Sequence, residues 1–114
     1  MADGTEVDSQ SRFRVEVERD GASTSLALVG ELDLATVETV HARLPEIYDG
    51  TRRLVVDLRR LEFIDSTGLR LLMTLHARAR RDGFELVIVQ GPPAVKSVFD
   101  VTGLRSRLPL VDAP

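Results

Sequence analysis

A short, nearly continuous apolar run at residues 54–58, Leu-Val-Val-Asp-Leu, is the feature that most constrains how this chain folds. Runs of this length and β-branched content are typical of strands that helices cover on both faces, as in sheets with parallel strands. A second such run follows at residues 84–89. Parallel neighbours need a long crossover connection, usually a helix. The two runs therefore predict a central parallel pair of strands in an α/β domain.

Three segments around these strands carry apolar residues at helical spacing. Asp33 or Thr36 can cap the first helix, since a side-chain oxygen there accepts a hydrogen bond from a free backbone N–H. The alternation of strands and helices along the chain indicates parallel crossovers. The helices are predicted over residues 37–48, from 65–68 to about 82–83, and from 91–93 to 103–104.

The N-terminal part of the domain alternates apolar and charged residues from Phe13 to Glu18, which is typical of a half-exposed strand. Asp20-Gly21 predicts a turn, and the apolar run 26–29 predicts the second strand of an antiparallel hairpin. Residues 108–111 predict a last edge strand, to which Pro109 is suited. We therefore predict an α/β fold in which a mixed β-sheet, with a parallel core and an antiparallel N-terminal strand, packs with helices. The domain is predicted over residues 12–114, after a flexible acidic arm over residues 1–11.

Composition excludes several classes of function. The 114 residues include no cysteine and two histidines, which argues against disulfides and a dedicated metal site. The net charge of −3 is the opposite of what a phosphate backbone attracts, so we expect no direct binding of nucleic acid. No apolar run approaches the roughly 20 residues that span a bilayer, and the first residues are acidic rather than basic and apolar. We expect a cytoplasmic protein without membrane insertion and without a cofactor.

The segment at residues 61–69, which contains Asp65-Ser66-Thr67-Gly68, joins the end of a buried strand to the start of the second helix. The simplest interpretation of Ser66 is a helix N-cap, a feature worth about 1 kcal/mol. A helix N-terminus also accepts an anion, because its free N–H groups carry partial positive charge. A phosphoryl group on Ser66 is therefore compatible with the helix.

Three motifs together resemble the STAS family of anti-sigma factor antagonists, which are bacterial regulators of transcription. They are Gly-Glu-Leu-Asp at 30–33, Val-Val-Asp-Leu at 55–58 and Phe-Ile-Asp-Ser-Thr-Gly-Leu at 63–69, and the resemblance covers roughly residues 12–111. It implies a binding protein that is not an enzyme. It also implies that the unphosphorylated chain binds an anti-sigma factor that is itself a serine kinase, and so frees the sigma factor. The kinase would use ATP to phosphorylate Ser66 and end this binding, a phosphatase would act on phosphorylated Ser66, and Asp33 would lie near the serine at the binding surface.

On the 66–82 helix, a second stripe formed by Leu69, Met73 and His76 lies beside the apolar stripe that faces the core. One interpretation is packing against the last helix, and the other is a docking surface next to Ser66. The predicted partner-binding residues are Asp33, Asp65, Ser66, Thr67, Gly68, Leu69, Met73 and His76.

Two alternatives stay open. One is a STAS protein of another assembly, such as a stress-signalling or lipid-transport complex. The other is a small serine hydrolase with Ser66 as nucleophile. A nucleophile elbow needs glycine two positions before and after the serine, whereas Ile64 precedes and Gly68 follows. No spacing assigns either histidine as the base, so the hydrolase is the weaker alternative.

Overall fold

The computed structural model describes residues 4–8 and 13–113, and within them a mixed sheet of seven strands with four α-helices. The order across the sheet is β1-β2-β3-β4-β6-β7, and β5 pairs with β3 beyond the end of β4. The strands are β1 Gly4–Asp8, β2 Phe13–Asp20, β3 Ser23–Leu32, β4 Arg53–Asp57, β5 Leu61–Ile64, β6 Glu85–Val89 and β7 Leu110–Val111. The helices are α1 Val37–His41, α2 Leu44–Tyr48, α3 Ser66–Asp82 and α4 Pro93–Thr102, and a 3-10 turn follows at Leu104–Ser106.

The predicted mixed sheet is confirmed. The strands β3, β4, β6 and β7 are parallel, whereas β1 and β2 run antiparallel to their neighbours. The strand β4 lies at the centre, with Val56 opposite Leu26 of β3 and Ile88 of β6. The hairpin of β2 and β3, the edge position of β7 and the extents of α3 and α4 also agree with the sequence. Gly83 ends α3 with φ +77°, a left-handed conformation that glycine adopts without strain.

The prediction that helices cover both faces of the central strands is wrong. Leu54 and Val56 of β4 are buried, but Val55 and Asp57, which point to the opposite face, are only half-buried. The strand β6 alternates in the same way. Valine at the half-exposed positions makes the run look continuous, because β-branched residues also suit exposed strand positions.

The segment predicted as a flexible acidic arm contains a strand, which corrects that prediction for residues 4–8. The strand β1 pairs antiparallel with β2, with Glu6 opposite Val15. Pairing at a sheet edge uses backbone N–H and C=O groups, so it requires no apolar pattern in the added strand. The rest of the predicted arm, residues 1–3 and 9–11, lies outside the described residues.

The single helix predicted over residues 37–48 is two short helices, α1 and α2, which meet at residues 42–43. Pro45 causes the break, since it has no backbone N–H and its ring would clash with the carbonyl of His41 in a continuous helix. The proline instead occupies the first turn of α2, where it is tolerated. The apolar stripe is still buried through Val37, Val40, Leu44 and Ile47.

Candidate functional site

Two parallel strands end side by side at one end of the sheet. Leu32, the last residue of β3, pairs with Ile64, the last residue of β5. Asp33 and Asp65 directly follow these two residues, so the two carboxylates predicted to share a surface leave neighbouring strand ends. The strand β5 was not predicted from the sequence, and it is the element that places Asp65 and Ser66 beside Asp33.

Asp65 is the N-cap of α3. Its Oδ1 accepts hydrogen bonds from the backbone N–H of Thr67 at 2.9 Å and of Gly68 at 3.1 Å. The prediction that Ser66 caps the helix is therefore wrong by one residue. The helix starts at Ser66 because Asp65 has extended backbone angles and a carboxylate, which satisfies two N–H groups and balances the positive helix end.

The side chain of Ser66 has no structural role within the described residues. It is exposed at the first position of α3, and its hydroxyl forms no hydrogen bond within the described residues. Thr67, the neighbouring hydroxyl residue, is half-buried. Ser66 is thus the more accessible of the two hydroxyl groups in this motif.

Gly68 lets the start of α3 approach the strand ends closely. A Cβ atom at this position would lie 2.7 Å from Cγ1 of Ile64 and 2.9 Å from the carbonyl oxygen of Leu32. Both distances are shorter than a real Cβ contact, and the carbonyl belongs to the backbone. The glycine of the Asp-Ser-Thr-Gly motif is therefore a packing requirement of the site.

Asp33 holds the turn that leads into α1. Its Oδ1 accepts hydrogen bonds from the N–H groups of Ala35 at 3.0 Å and Thr36 at 3.2 Å. The hydroxyl of Thr36 accepts from the N–H of Asp33 at 3.0 Å and donates to the carbonyl of Glu31 at 2.7 Å. Thr36 is the N-cap residue of α1 but forms no side-chain cap bond, and the N–H groups that bind the Asp33 carboxylate precede the helix. The prediction that Asp33 or Thr36 caps the first helix through its side chain is therefore wrong: Asp33 stabilises the turn before α1, and buried Thr36 ties this turn to β3.

Two exposed apolar side chains that the sequence analysis missed lie at this end of the sheet. Leu34, directly after Asp33, is 76% exposed, and Phe63 of β5 is 48% exposed. The sequence signal for their exposure was a break in pattern: neither residue continues an apolar stripe of the neighbouring strand or helix. The site therefore combines a free hydroxyl, two carboxylates and exposed apolar surface.

A family model described as "Mlab, STAS domain" matches residues 15–112. The chain belongs to the STAS domain family. The chain is 36% identical over 87 residues to a putative anti-sigma factor antagonist BtrV from Bordetella bronchiseptica, covering 75% of each protein. It is 40% identical over 81 residues to the anti-sigma-B factor antagonist of Staphylococcus aureus, covering 69% of this chain and 74% of that protein.

Solved structures of STAS proteins share the fold. An anti-sigma factor antagonist from Mycobacterium paratuberculosis superposes with a TM-score of 0.78 at 25% identity, covering 92% of this chain and 89% of that one. The antagonist SpoIIAA in its unphosphorylated form gives a TM-score of 0.74 at 23% identity, covering 88% of each chain. Its phosphorylated form gives 0.68 at 22% identity, over 88% of this chain and 91% of that one.

The second stripe of α3, which was predicted as a docking surface, is only partly exposed in this STAS domain. Leu69 is 7% exposed and belongs to the hydrophobic core, so it is a packing residue and its prediction as a surface residue is wrong. Met73 is half-buried against the core. His76 is half-buried, and its Nδ1 finds no hydrogen-bond partner among the described residues. The docking role of Met73 and His76 stays a prediction.

Ion pairs elsewhere on the STAS domain stabilise charged groups beside the half-exposed sheet face. Arg59 lies 2.8 Å from Oδ2 of Asp57, and Arg60 lies 2.5 Å from Oε1 of Glu16. Burial raises the pKa of the Asp57 carboxyl, but hydrogen bonds from Arg59 and the charges of Arg59 and Arg60 outweigh burial and lower that pKa overall. The hydrogen bond from Arg60 leads the interactions that lower the pKa of Glu16. The side chains of these arginines are therefore engaged with Asp57 and Glu16.

The described residues contain no helix long and apolar enough to cross a membrane. They also contain no group of three or more histidine, aspartate or glutamate side chains arranged to hold a metal ion.

Proposed function

We propose that this chain is an anti-sigma factor antagonist that is switched by phosphorylation of Ser66. The unphosphorylated chain binds an anti-sigma factor that is a serine kinase, and this binding frees the sigma factor. The kinase transfers the γ-phosphoryl group of ATP to the Ser66 hydroxyl, which loses its proton as ADP leaves. A phosphatase later hydrolyses the phosphoserine and restores the binding form.

The observation that carries this proposal is the free hydroxyl of Ser66. It is exposed at the start of a helix, and the capping task that would constrain it belongs to Asp65. A kinase must reach its target hydroxyl, and that of Ser66 is exposed and forms no hydrogen bond within the described residues. The relatives named as anti-sigma factor antagonists support the antagonist part of the proposal.

Local charge explains how a phosphoryl group would end binding. It would add about −1.5 to −2 charge at a helix end where Asp65 already accepts from the N–H groups of Thr67 and Gly68. Those N–H groups are therefore not available to the phosphate, which stays at the surface beside Asp65 and Asp33. Like charges brought together in an interface cost several kcal/mol, and a hundredfold loss of affinity needs only about 2.8 kcal/mol.

The alternative of a serine hydrolase lacks support in the geometry. The Ser66 hydroxyl contacts no base within the described residues, and a nucleophilic serine needs one within hydrogen-bond reach. His76 lies ten positions further along α3, which is about 15 Å along the helix axis. A STAS protein of another assembly would use the same end of the sheet without a kinase, and the experiment below separates the two.

The test is phosphorylation and binding with purified components. The wild-type chain is incubated with each serine-kinase anti-sigma factor of the source organism and ATP, and intact mass and peptide mapping then locate the phosphoryl group. We expect one group, on Ser66. Ser66→Ala should bind the kinase and accept no phosphate, whereas Ser97→Ala, which changes another exposed serine, should behave as wild type.

Binding is then compared between the two forms by calorimetry. We expect the phosphorylated chain to bind at least a hundredfold more weakly. Phosphate on Thr67 would contradict the assignment of Ser66. A chain that none of these kinases binds or phosphorylates would contradict the proposed function and favour a STAS protein of another assembly.

A further inference from the structure

The end of the sheet that carries Asp33 and Ser66 exposes more apolar surface than the packing of this domain explains. Four large hydrophobic side chains are exposed in the described part of the chain, namely Leu34, Phe63, Val101 and Val111. Leu34 and Phe63 both lie at the end where β3 and β5 finish, next to Asp33 and Ser66. Exposed apolar groups that cluster at a functional site are typical of a protein–protein interface.

Two carboxylates lie beside Phe63 in the sheet. Glu31 pairs with Phe63 in the register of β3 and β5, and Glu62 precedes Phe63 at the irregularity between these strands. Both glutamates are exposed, and neither forms an ion pair within residues 13–113. The nearest arginines in sequence, Arg59 and Arg60, are paired with Asp57 and Glu16. Glu31 and Glu62 are thus negative charges beside Phe63 that form no ion pair within the described residues.

We infer that Leu34 and Phe63 are the two anchors by which the chain docks on the kinase, in an apolar pocket that lysine or arginine side chains border. The inference rests on the proposed function and adds the residues and the chemistry of the partner surface. Buried apolar and aromatic anchors carry most of the energy of an interface, while a charged border sets orientation and association rate. Exposed Glu31 and Glu62, which form no ion pair in the described part of the chain, fit a basic border beside Phe63. The kinase surface that faces Ser66 and Asp33 is not basic, since a positive charge there would attract the phosphoserine rather than repel it.

The experiment uses the kinase that phosphorylates the wild-type chain in the test above. Leu34→Ser and Phe63→Ser are compared with Val111→Ser, which removes an apolar side chain of similar exposure to Phe63, 43% against 48%, from β7 at the far edge of the sheet. We expect each anchor variant to bind at least tenfold more weakly and Val111→Ser to stay within twofold of wild type. Glu31→Gln with Glu62→Gln should slow association and weaken its dependence on salt.

Folding is checked by thermal unfolding of each variant. Phe63→Thr keeps a strand-forming residue and replaces Phe63→Ser if the latter unfolds. Unchanged kinase affinity in both anchor variants would overturn the inference while leaving the proposed function standing. It would also be overturned if Leu34→Ser only converted a dimer of this chain to monomer, since the apolar pair would then contact a second copy. Absence of any kinase that phosphorylates the wild type would instead contradict the proposed function.

Discussion

Replacing Asp65 by alanine tests which residue holds the start of α3. The change removes the acceptor of two hydrogen bonds, to the N–H groups of Thr67 and Gly68. Loss of an N-cap side chain costs about 0.5–2 kcal/mol. At roughly 4 °C per kcal/mol for a domain of this size, the melting temperature should fall by roughly 2–8 °C.

Ser66→Ala is the matched control, one residue further along the same helix. Ser66 makes no hydrogen bond that the alanine would lose, and surface substitutions of this kind usually stay within about 0.5 kcal/mol. Its melting temperature should therefore remain within roughly 2 °C of wild type. Asp65→Asn should fall between the two, because an amide oxygen still caps the helix but lacks the charge that favours its N-terminus.

The measurement is thermal unfolding followed by circular dichroism and calorimetry on the three variants and the wild type. The reasoning is refuted if Ser66→Ala destabilises the chain as much as Asp65→Ala does. That result would mean that the serine hydroxyl caps the helix in solution, and that a phosphoryl group would have to break the cap.

Three further changes test other parts of the structure. Gly68→Ala should cost about 1–3 kcal/mol in urea unfolding, because its Cβ would press on the backbone at the end of β3, and unchanged stability would show that α3 shifts freely. Folding lowers the pKa of Asp57, so its ionised carboxylate stabilises the fold above the unfolded-state pKa of about 3.9. This stability is lost as the pH falls through the folded-state pKa of Asp57. Arg59→Gln removes the ion pair, so this variant should lose less stability on acidification than wild type. Met73→Glu should destabilise the chain by more than Thr74→Glu on the exposed side of α3, and equal melting temperatures would place Met73 at the surface.

Local sequence pattern predicted the parts of the fold that repeat a regular period. The hairpin of β2 and β3, the parallel pair β4 and β6, and the helices α3 and α4 all have apolar residues at strand or helix spacing. Strand β5 has four residues with both ends buried and both middle residues exposed, so it follows no strand period. Its pairing with β3 depends on contacts distant in sequence, which a local pattern does not contain.

The structure brings the predicted residues Asp33, Asp65 and Ser66 to one end of the sheet, but the sequence did not define which of them caps α3. Aspartate and serine are both good N-cap residues, and a sequence seldom defines a helix start to within one position. The structure gives the cap to Asp65 and leaves Ser66 exposed. The exposure of Leu34 and Phe63 also could not be predicted from the sequence, because it depends on the pairing between the ends of β3 and β5.

Under the proposed function, that division of roles between Asp65 and Ser66 would let the start of α3 serve as a switch. If Ser66 capped α3, adding a phosphoryl group would replace the cap, and stability would change with every cycle. Because Asp65, and not Ser66, accepts from the N–H groups of Thr67 and Gly68, a phosphoryl group on Ser66 would leave the cap in place while the surface charge changes. The unfavourable free energy of the added charge would then arise in the complex with the partner and not in the free chain. All of it would therefore weaken binding.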